Sequence, residues 1–256
     1  MALSSHTTAR PPRPTIELEV IRTARLSPHL VRVTLGGAGF AQFQDRPETD
    51  KYVKLKFTAS DGLPVTRTYT VRQVDPVSQT LDVDFVVHGD EGLAAPWAAG
   101  AAPGDRISFM GPGGGYAPDP AAEWHVFAGD LSAVPAIAAA LQALPADAAG
   151  RVLVEIDSAA AEIPLDAPAG VEVTWIVDAQ HDTETLAEAL RGLEWPDAAV
   201  QVFAHGERES MKAIRRVLFD ERGLDRGRVS LSGYWARGRT EDRFQAEKRE
   251  PIGRIL

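Results

Sequence analysis

Four consecutive residues, Arg67-Thr68-Tyr69-Thr70, close a run of strand-like alternation, and their side chains form a distinctive chemical set. Residues two apart on a strand face the same way, so Arg67 and Tyr69 share one side and Thr68 and Thr70 the other. An arginine fork grips two phosphate oxygens at once, an aromatic face lies against a flat ring, and a neighbouring hydroxyl bonds the edge of that ring. Together these tools suit FAD. An ordinary surface strand would explain the four residues alone, so the reading rests on what surrounds them. Downstream, the small residues Gly92, Ala94 and Ala95 let backbone N–H groups approach a phosphate, while Trp97 beside them reads as a packing anchor.

Farther along, Gly129-Asp130-Leu131-Ser132-Ala133-Val134-Pro135 carries an apolar strand through a turn into a helix. Such a turn leaves N–H groups free at a helix start, where a dinucleotide diphosphate commonly sits. Gly129, Ser132 and Pro135 do not complete a G-x-G-x-x-G spacing, and Asp130 is acidic where a phosphate would approach. Asp130 can equally cap the helix.

Composition narrows the chemistry further. With no cysteine in 256 residues, the chain has no disulfide, no thiolate-held iron–sulfur cluster, no cysteine zinc site and no cysteine nucleophile. The six histidines, His6, His29, His88, His125, His181 and His205, are scattered without the spacing of a metal-binding pair. Any redox centre is therefore expected to be organic, with no metal held by the protein itself. A net charge of −9 argues against nucleic acid as a partner, because binding phosphate backbones needs a positive field. Residues Met1 to Pro14 have no apolar core of a signal peptide and read as a disordered Pro/Arg/Thr tail. The longest apolar stretch, Leu131 to Leu144, is interrupted by Pro135 and Gln142 and falls short of the roughly 20 residues of a membrane span. A cytoplasmic protein is expected, and a monomer.

The elements that must position these residues fall into two rhythms. From Thr15 to Met110 the pattern is period two with frequent turns: Ile16, Leu18 and Val20 alternate with Glu17 and Glu19, and Val31, Val33 and Leu35 with Arg32 and Thr34. Further strands are expected over Lys51 to Thr58, Thr66 to Arg72, Thr80 to Val87 and Arg106 to Met110, making a six-stranded antiparallel β-barrel. After a glycine hinge, Gly111 to Gly115, short apolar strands alternate with helices, the mark of a Rossmann-like parallel α/β sheet covered on both faces. The expected boundaries are a tail over 1–14, a barrel over 15–118 and an α/β domain with a C-terminal extension over 119–256.

The Arg67 to Thr70 stretch resembles the flavin-holding Arg-x-Tyr-(Ser/Thr) motif of ferredoxin-NADP-reductase-like flavoproteins, and Gly129 to Pro135 resembles their nicotinamide loop. With Phe85-Val86-Val87-His88-Gly89, Gly104-Asp105, His205-Gly206-Glu207 and Gly233-Tyr234-Trp235-Ala236-Arg237-Gly238, the chain resembles the siderophore-interacting proteins over Ile16 to Arg243. These are FAD-containing, NAD(P)H-dependent ferric-siderophore reductases. The resemblance implies that Arg67, Thr68, Tyr69, Thr70, His88 and the Gly92 to Ala95 loop hold FAD. It also implies that basic residues beside the flavin attract the ferric siderophore; Lys54, Lys51, Arg237 and Arg239 are the candidates, although each also reads as a solvated surface charge. Ala236 stands where a basic residue often follows the tryptophan. Acidic residues at Glu155, Asp157 and Asp178 suit a ribose diol better than a 2′-phosphate, leaving NADPH and NADH both open as reductant, with ferredoxin a further electron partner. No side chain is expected to act as catalytic acid or base. Two other readings stay open: a reductase with a protein electron partner, and a flavin- or siderophore-binding module without turnover.

Overall fold

The computed structural model describes residues 14–87 and 92–256. The expected tail, apart from Pro14, and His88 both lie outside the described residues.

Six strands close an antiparallel barrel: β1 (Thr15–Ser27), β2 (Leu30–Gly36), β3 (Tyr52–Thr58), β4 (Pro64–Asp75), β5 (Thr80–Val86) and β6 (Arg106–Gly113), in the order β1-β2-β5-β4-β3-β6. The period-two pattern drives closure, because each strand sends alternate residues inward: Ile16, Leu18 and Val20, then Val53 and Leu55, Leu81, Val83 and Phe85, and finally Ile107 and Phe109, all buried. β6 runs on to Gly113, so only Gly114 and Gly115 of the expected hinge lead out of the barrel. A Cβ at Gly113 would lie 2.5 Å from the Tyr52 ring, so this glycine serves close packing rather than flexibility. Helix α1 (Ala94–Gly100) packs on β2 and β5, with Trp97 set 6.0 Å from Phe57 and 5.6 Å from Phe85.

The second unit is a five-stranded parallel sheet of β7 (Trp124–Asp130), β8 (Ala149–Ile156), β9 (Gly170–Val177), β10 (Val200–Glu207) and β11 (Val229–Trp235), ordered β11-β10-β7-β8-β9. Helix α2 (Val134–Ala143) covers the face that carries Phe127, Val152, Val154 and Phe203. Helices α3 (Thr185–Gly192) and α4 (Arg208–Arg215) cover the other, over Val126, Ala128, Val202 and Ala204. Strands β10 and β11 extend beyond their apolar runs, which makes His205-Gly206-Glu207 and Tyr234-Trp235 strand ends at the carboxyl edge of the sheet. A last helix, α5 (Glu241–Glu247), buries Phe244 and is capped by the Thr240 side chain. The sequence carried a signal for it, Thr240 followed by two acids, which is a common helix start.

The two units share a core: Leu26, Leu30 and Val86 of the barrel pack with α2, and Arg72 on β4 donates to Gln142 on α2 at 2.8 Å. Among the described residues no helix is long and apolar enough to cross a membrane.

Candidate functional site

On β4, Arg67 lies opposite Leu55 and Tyr69 opposite Val53, whose side chains are in the barrel core, while Thr68 and Thr70 lie opposite Lys54 and Tyr52. Directly opposed residues share a face, so the alternation expected from sequence places Arg67 and Tyr69 on the inward side. The Tyr69 ring sits 4.4 Å from that of Phe85, and burial pushes its phenol above the usual range. The guanidinium of Arg67 donates through both terminal nitrogens to the two oxygens of Asp242, each at 3.0 Å. Its Nε is 3.8 Å from Glu241, whose carboxylate also accepts the Thr68 N–H at 3.0 Å. The two-oxygen edge of a carboxylate mimics the edge of a phosphate, so the fork is poised to hold an acidic group of that shape. Gly92 adopts a φ of 82°, the region that favours glycine, with open space where a side chain would be, and Ala94 and Ala95 bury their methyls. The donor set fits the diphosphate and ring of FAD.

At the carboxyl end of β7 the picture differs. A Cβ on Gly129 would meet the His205 carbonyl at 2.3 Å, so this glycine lets strand and turn approach. Asp130 accepts the Ser132 N–H at 2.8 Å and its hydroxyl at 2.5 Å on one oxygen. On the other oxygen it accepts the Trp235 indole N–H at 2.7 Å and the Glu207 N–H at 2.8 Å. Pro135, in the first turn of α2, is buried. Donors that a diphosphate would use are thus engaged by an acid of the chain itself. Burial raises the Asp130 carboxyl above its usual value against the pull of these bonds.

Around it lie more carboxylates. Glu155, paired with Asp130 across β7 and β8, has a buried Oε2 without a partner. Burial first, then the charges of Asp130 and Asp178, push it up to about 7. Asp178 is committed to the turn into α3, where it accepts from Gln180, His181, Asp182 and Thr185. Asp157 is largely exposed, with its carboxylate 3.3 Å from His181 Nδ1.

Consecutive residues of β11 join the two motifs. The Tyr234 phenol lies beside the Thr70 hydroxyl of the β4 motif, and Trp235 bonds Asp130 of the β7 loop. Behind them His205 stacks on Phe203 at 3.9 Å and bonds Ser230 through Nε2 at 2.9 Å. Burial, aided by the charge of Lys248, lowers its pKa to about 3, so it stays neutral and is a poor base near neutral pH.

The halves of this arrangement match two family models: residues 19–63 and 56–116 match the siderophore-interacting FAD-binding domain, and residues 122–238 match the siderophore-interacting protein model. The chain belongs to the siderophore-interacting protein family. It is 45% identical to an uncharacterized protein of Mycobacterium tuberculosis over 93% of this chain and 96% of that one. It is 34% identical to the ferric vibriobactin reductase of Vibrio cholerae, over 90% of this chain and 93% of the relative. A crystal structure of a siderophore utilization protein from T. fusca superposes with a TM-score of 0.81 at 39% identity, covering 90% of this chain and 95% of that one.

The four basic residues assigned to the siderophore by family resemblance differ in how free they are. Lys51 is tied to Asp45 at 2.7 Å. Arg239 is tied to Glu247 at 2.8 Å, a buried carboxylate that also takes Arg208 at 2.5 Å and Arg243 at 2.9 Å. Lys54 stands exposed on β3 opposite Thr68, outside any ion pair among the described residues. Arg237 is exposed, with its guanidinium 5.6 Å from the Trp235 ring centre and likewise outside any ion pair. Sequence reasoning on this siderophore-interacting protein missed Glu241 and Asp242 at Arg67, and the Glu247 hub that fixes their helix. Both sit on α5, whose single buried aromatic gives no helical period to read.

Proposed function

We propose that this chain is an FAD-dependent ferric-siderophore reductase that takes electrons from NADH or NADPH and releases ferrous iron. The chemistry that FAD would supply when bound is acceptance of a two-electron hydride from the nicotinamide and delivery of one electron to each of two ferric ions in turn. The barrel, residues 15–118, is the flavin domain in this reading: Arg67 and the Gly92 to Ala95 loop hold the diphosphate, Tyr69 and Thr70 flank the ring, and Thr68 offers its backbone N–H. The α/β region, 119–256, presents the nicotinamide by way of Gly129 to Pro135. Asp157 favours a ribose diol, which makes NADH the preferred donor. Lys54 and Arg237, both exposed and outside ion pairs among the described residues, supply the field that draws an anionic ferric chelate. Ferrous iron is the softer ion and is held less tightly by hard oxygen ligands, so reduction is also release.

The observation that carries this reading is the pair Tyr234-Trp235, which touches the flavin motif with one residue and the nucleotide loop with the next. Electrons therefore need cross only a short seam. One chain carries both motifs, so a monomer suffices, and a dependence on nicotinamide places the reaction in the cytoplasm. No acid or base is required of the protein, in keeping with a neutral His205.

Anaerobic addition of NADH or NADPH to the flavin-loaded protein should bleach the flavin absorbance, and a ferric siderophore should restore it while a ferrous trap colours. A flavin that is reduced by dithionite yet does not reoxidise with any ferric chelate overturns the proposal.

A further inference from the structure

Taking the assignment of FAD to the barrel as given, we propose that the C-terminal helix α5 competes with the flavin diphosphate for Arg67, so that loading FAD requires Glu241 and Asp242 to let go. Three observations carry it. Asp242 fills the arginine fork with the two-oxygen, bidentate geometry that a phosphate would adopt, at 3.0 Å on each arm. Glu241, one residue before, takes the Thr68 N–H at 3.0 Å, so two donors of the same four-residue motif are held by consecutive acids. The helix bearing them is fixed by contacts that do not involve the barrel: Phe244 is 2% exposed, and Glu247 binds Arg208, Arg239 and Arg243. The acids are thereby presented to Arg67 by an element anchored at its far end.

The strength of the contact suits a displaceable group. The Asp242 end of the pair is 61% exposed and screened by water, whereas Arg67 is 14% and Glu241 24% exposed, so Asp242 is the partner released most easily. A dinucleotide brings more charge, together with an aromatic ring to bury, and outcompetes the pair. The helix then sets FAD affinity rather than forbidding it, and couples flavin occupancy to the position of the C-terminal segment. The charges that face this contact are Arg67 from β4, Glu241 and Asp242 from α5, and Lys54 and Lys248, whose mutual repulsion lowers the Lys248 pKa after burial.

The test is FAD affinity, read by quenching of flavin fluorescence as FAD-free protein is titrated in. Asp242→Asn should tighten binding about twofold, and Glu241→Gln with Asp242→Asn about two- to fivefold, the scale of one screened ion pair. Weaker FAD binding by either variant overturns the inference, for it would mean that the acids position Arg67 instead of competing for it; unchanged binding overturns it too. Hydrogen exchange on the unmodified chain gives a second readout that needs no variant: amides of residues 241–247 should exchange faster once FAD is bound, and slower or unaltered exchange counts against the proposal. If neither the unmodified chain nor any variant binds FAD, the flavin assignment itself fails. If FAD binds and Arg67→Ala weakens it while the acid variants change nothing, the competition alone fails.

Discussion

The two motifs of this protein both present polar groups from a strand, but they dispose of their charge in opposite ways. Near the start of β4 a cation, Arg67, faces two acids, the exposed Asp242 and the half-buried Glu241. At the end of β7 the acid Asp130 lies within the chain's own donors, taking Ser132, Glu207 and Trp235 together. A site built the first way is ready for an anion. A site built the second way has its donors already engaged, and a dinucleotide docking there must rely on the ribose, the ring and residues beyond the loop. Under the proposed function, the contrast separates a cofactor held at the barrel from a donor that docks at the sheet.

The largest effect expected from breaking this contrast is at Arg67. Arg67→Ala removes a fork that can make two charge-assisted bonds, each worth roughly 1.5–3 kcal/mol when the partner is ionised. FAD affinity should fall by at least about a hundredfold, since two such bonds together are worth at least about 3 kcal/mol and each factor of ten is about 1.4 kcal/mol. The protein should purify largely free of flavin absorbance while its far-ultraviolet dichroism stays unchanged. Retention of full flavin by the variant would transfer the diphosphate to other residues.

A smaller effect is expected at Lys54, the exposed cation beside Thr68. Lys54→Ala should raise KM for an anionic ferric siderophore about two- to fivefold, the scale of one exposed charge interaction, and leave the rate of flavin reduction by nicotinamide as it was. A KM unmoved by the change would take Lys54 out of the substrate's path and leave Arg237 as the remaining cation of the four that is outside an ion pair among the described residues.

Much of this was legible in the chain itself, and the reasons are physical. Period-two alternation in Ile16, Leu18 and Val20 fixes which side of β1 is wet, and the same signal repeats around the barrel, so closure followed from pattern. The parallel sheet showed as short apolar runs because both its faces are covered. The strand ends were harder, since His205-Gly206-Glu207 and Tyr234-Trp235 continue their strands on hydrogen-bond pairing and not on apolar content. The site residues divide likewise. Arg67 was visible through its neighbours in sequence, whereas its partner Asp242 lies 175 residues away, and only the folded chain sets them together. The reach of Lys51 to Asp45 was equally hidden, because local spacing does not reveal which way a loop turns a carboxylate.

The finest probe of the comparison is Glu155, which feels the acidity of the β7 edge. Its carboxyl is raised from the ordinary glutamate range to about 7 by burial and by Asp130 and Asp178, with Arg237 opposing. A raised folded-state value means that the folded protein keeps this proton longer than the unfolded chain does. The stability linked to it is therefore complete below the unfolded value near 4.5 and is lost as pH rises through about 7. Glu155→Gln, which cannot ionise, should escape that loss: its melting temperature should exceed the parent's at pH 8 and converge with it at pH 4.5. Because the side chain is partly exposed, solvent screening reduces the full shift to on the order of 1 kcal/mol, or roughly 2–4 °C for a protein of this size. A gap of the same size at both pH values would mean that packing, not charge, separates the two proteins. In that case the acidic character of the β7 edge would carry no energetic cost, and the contrast with the β4 site would rest on geometry alone.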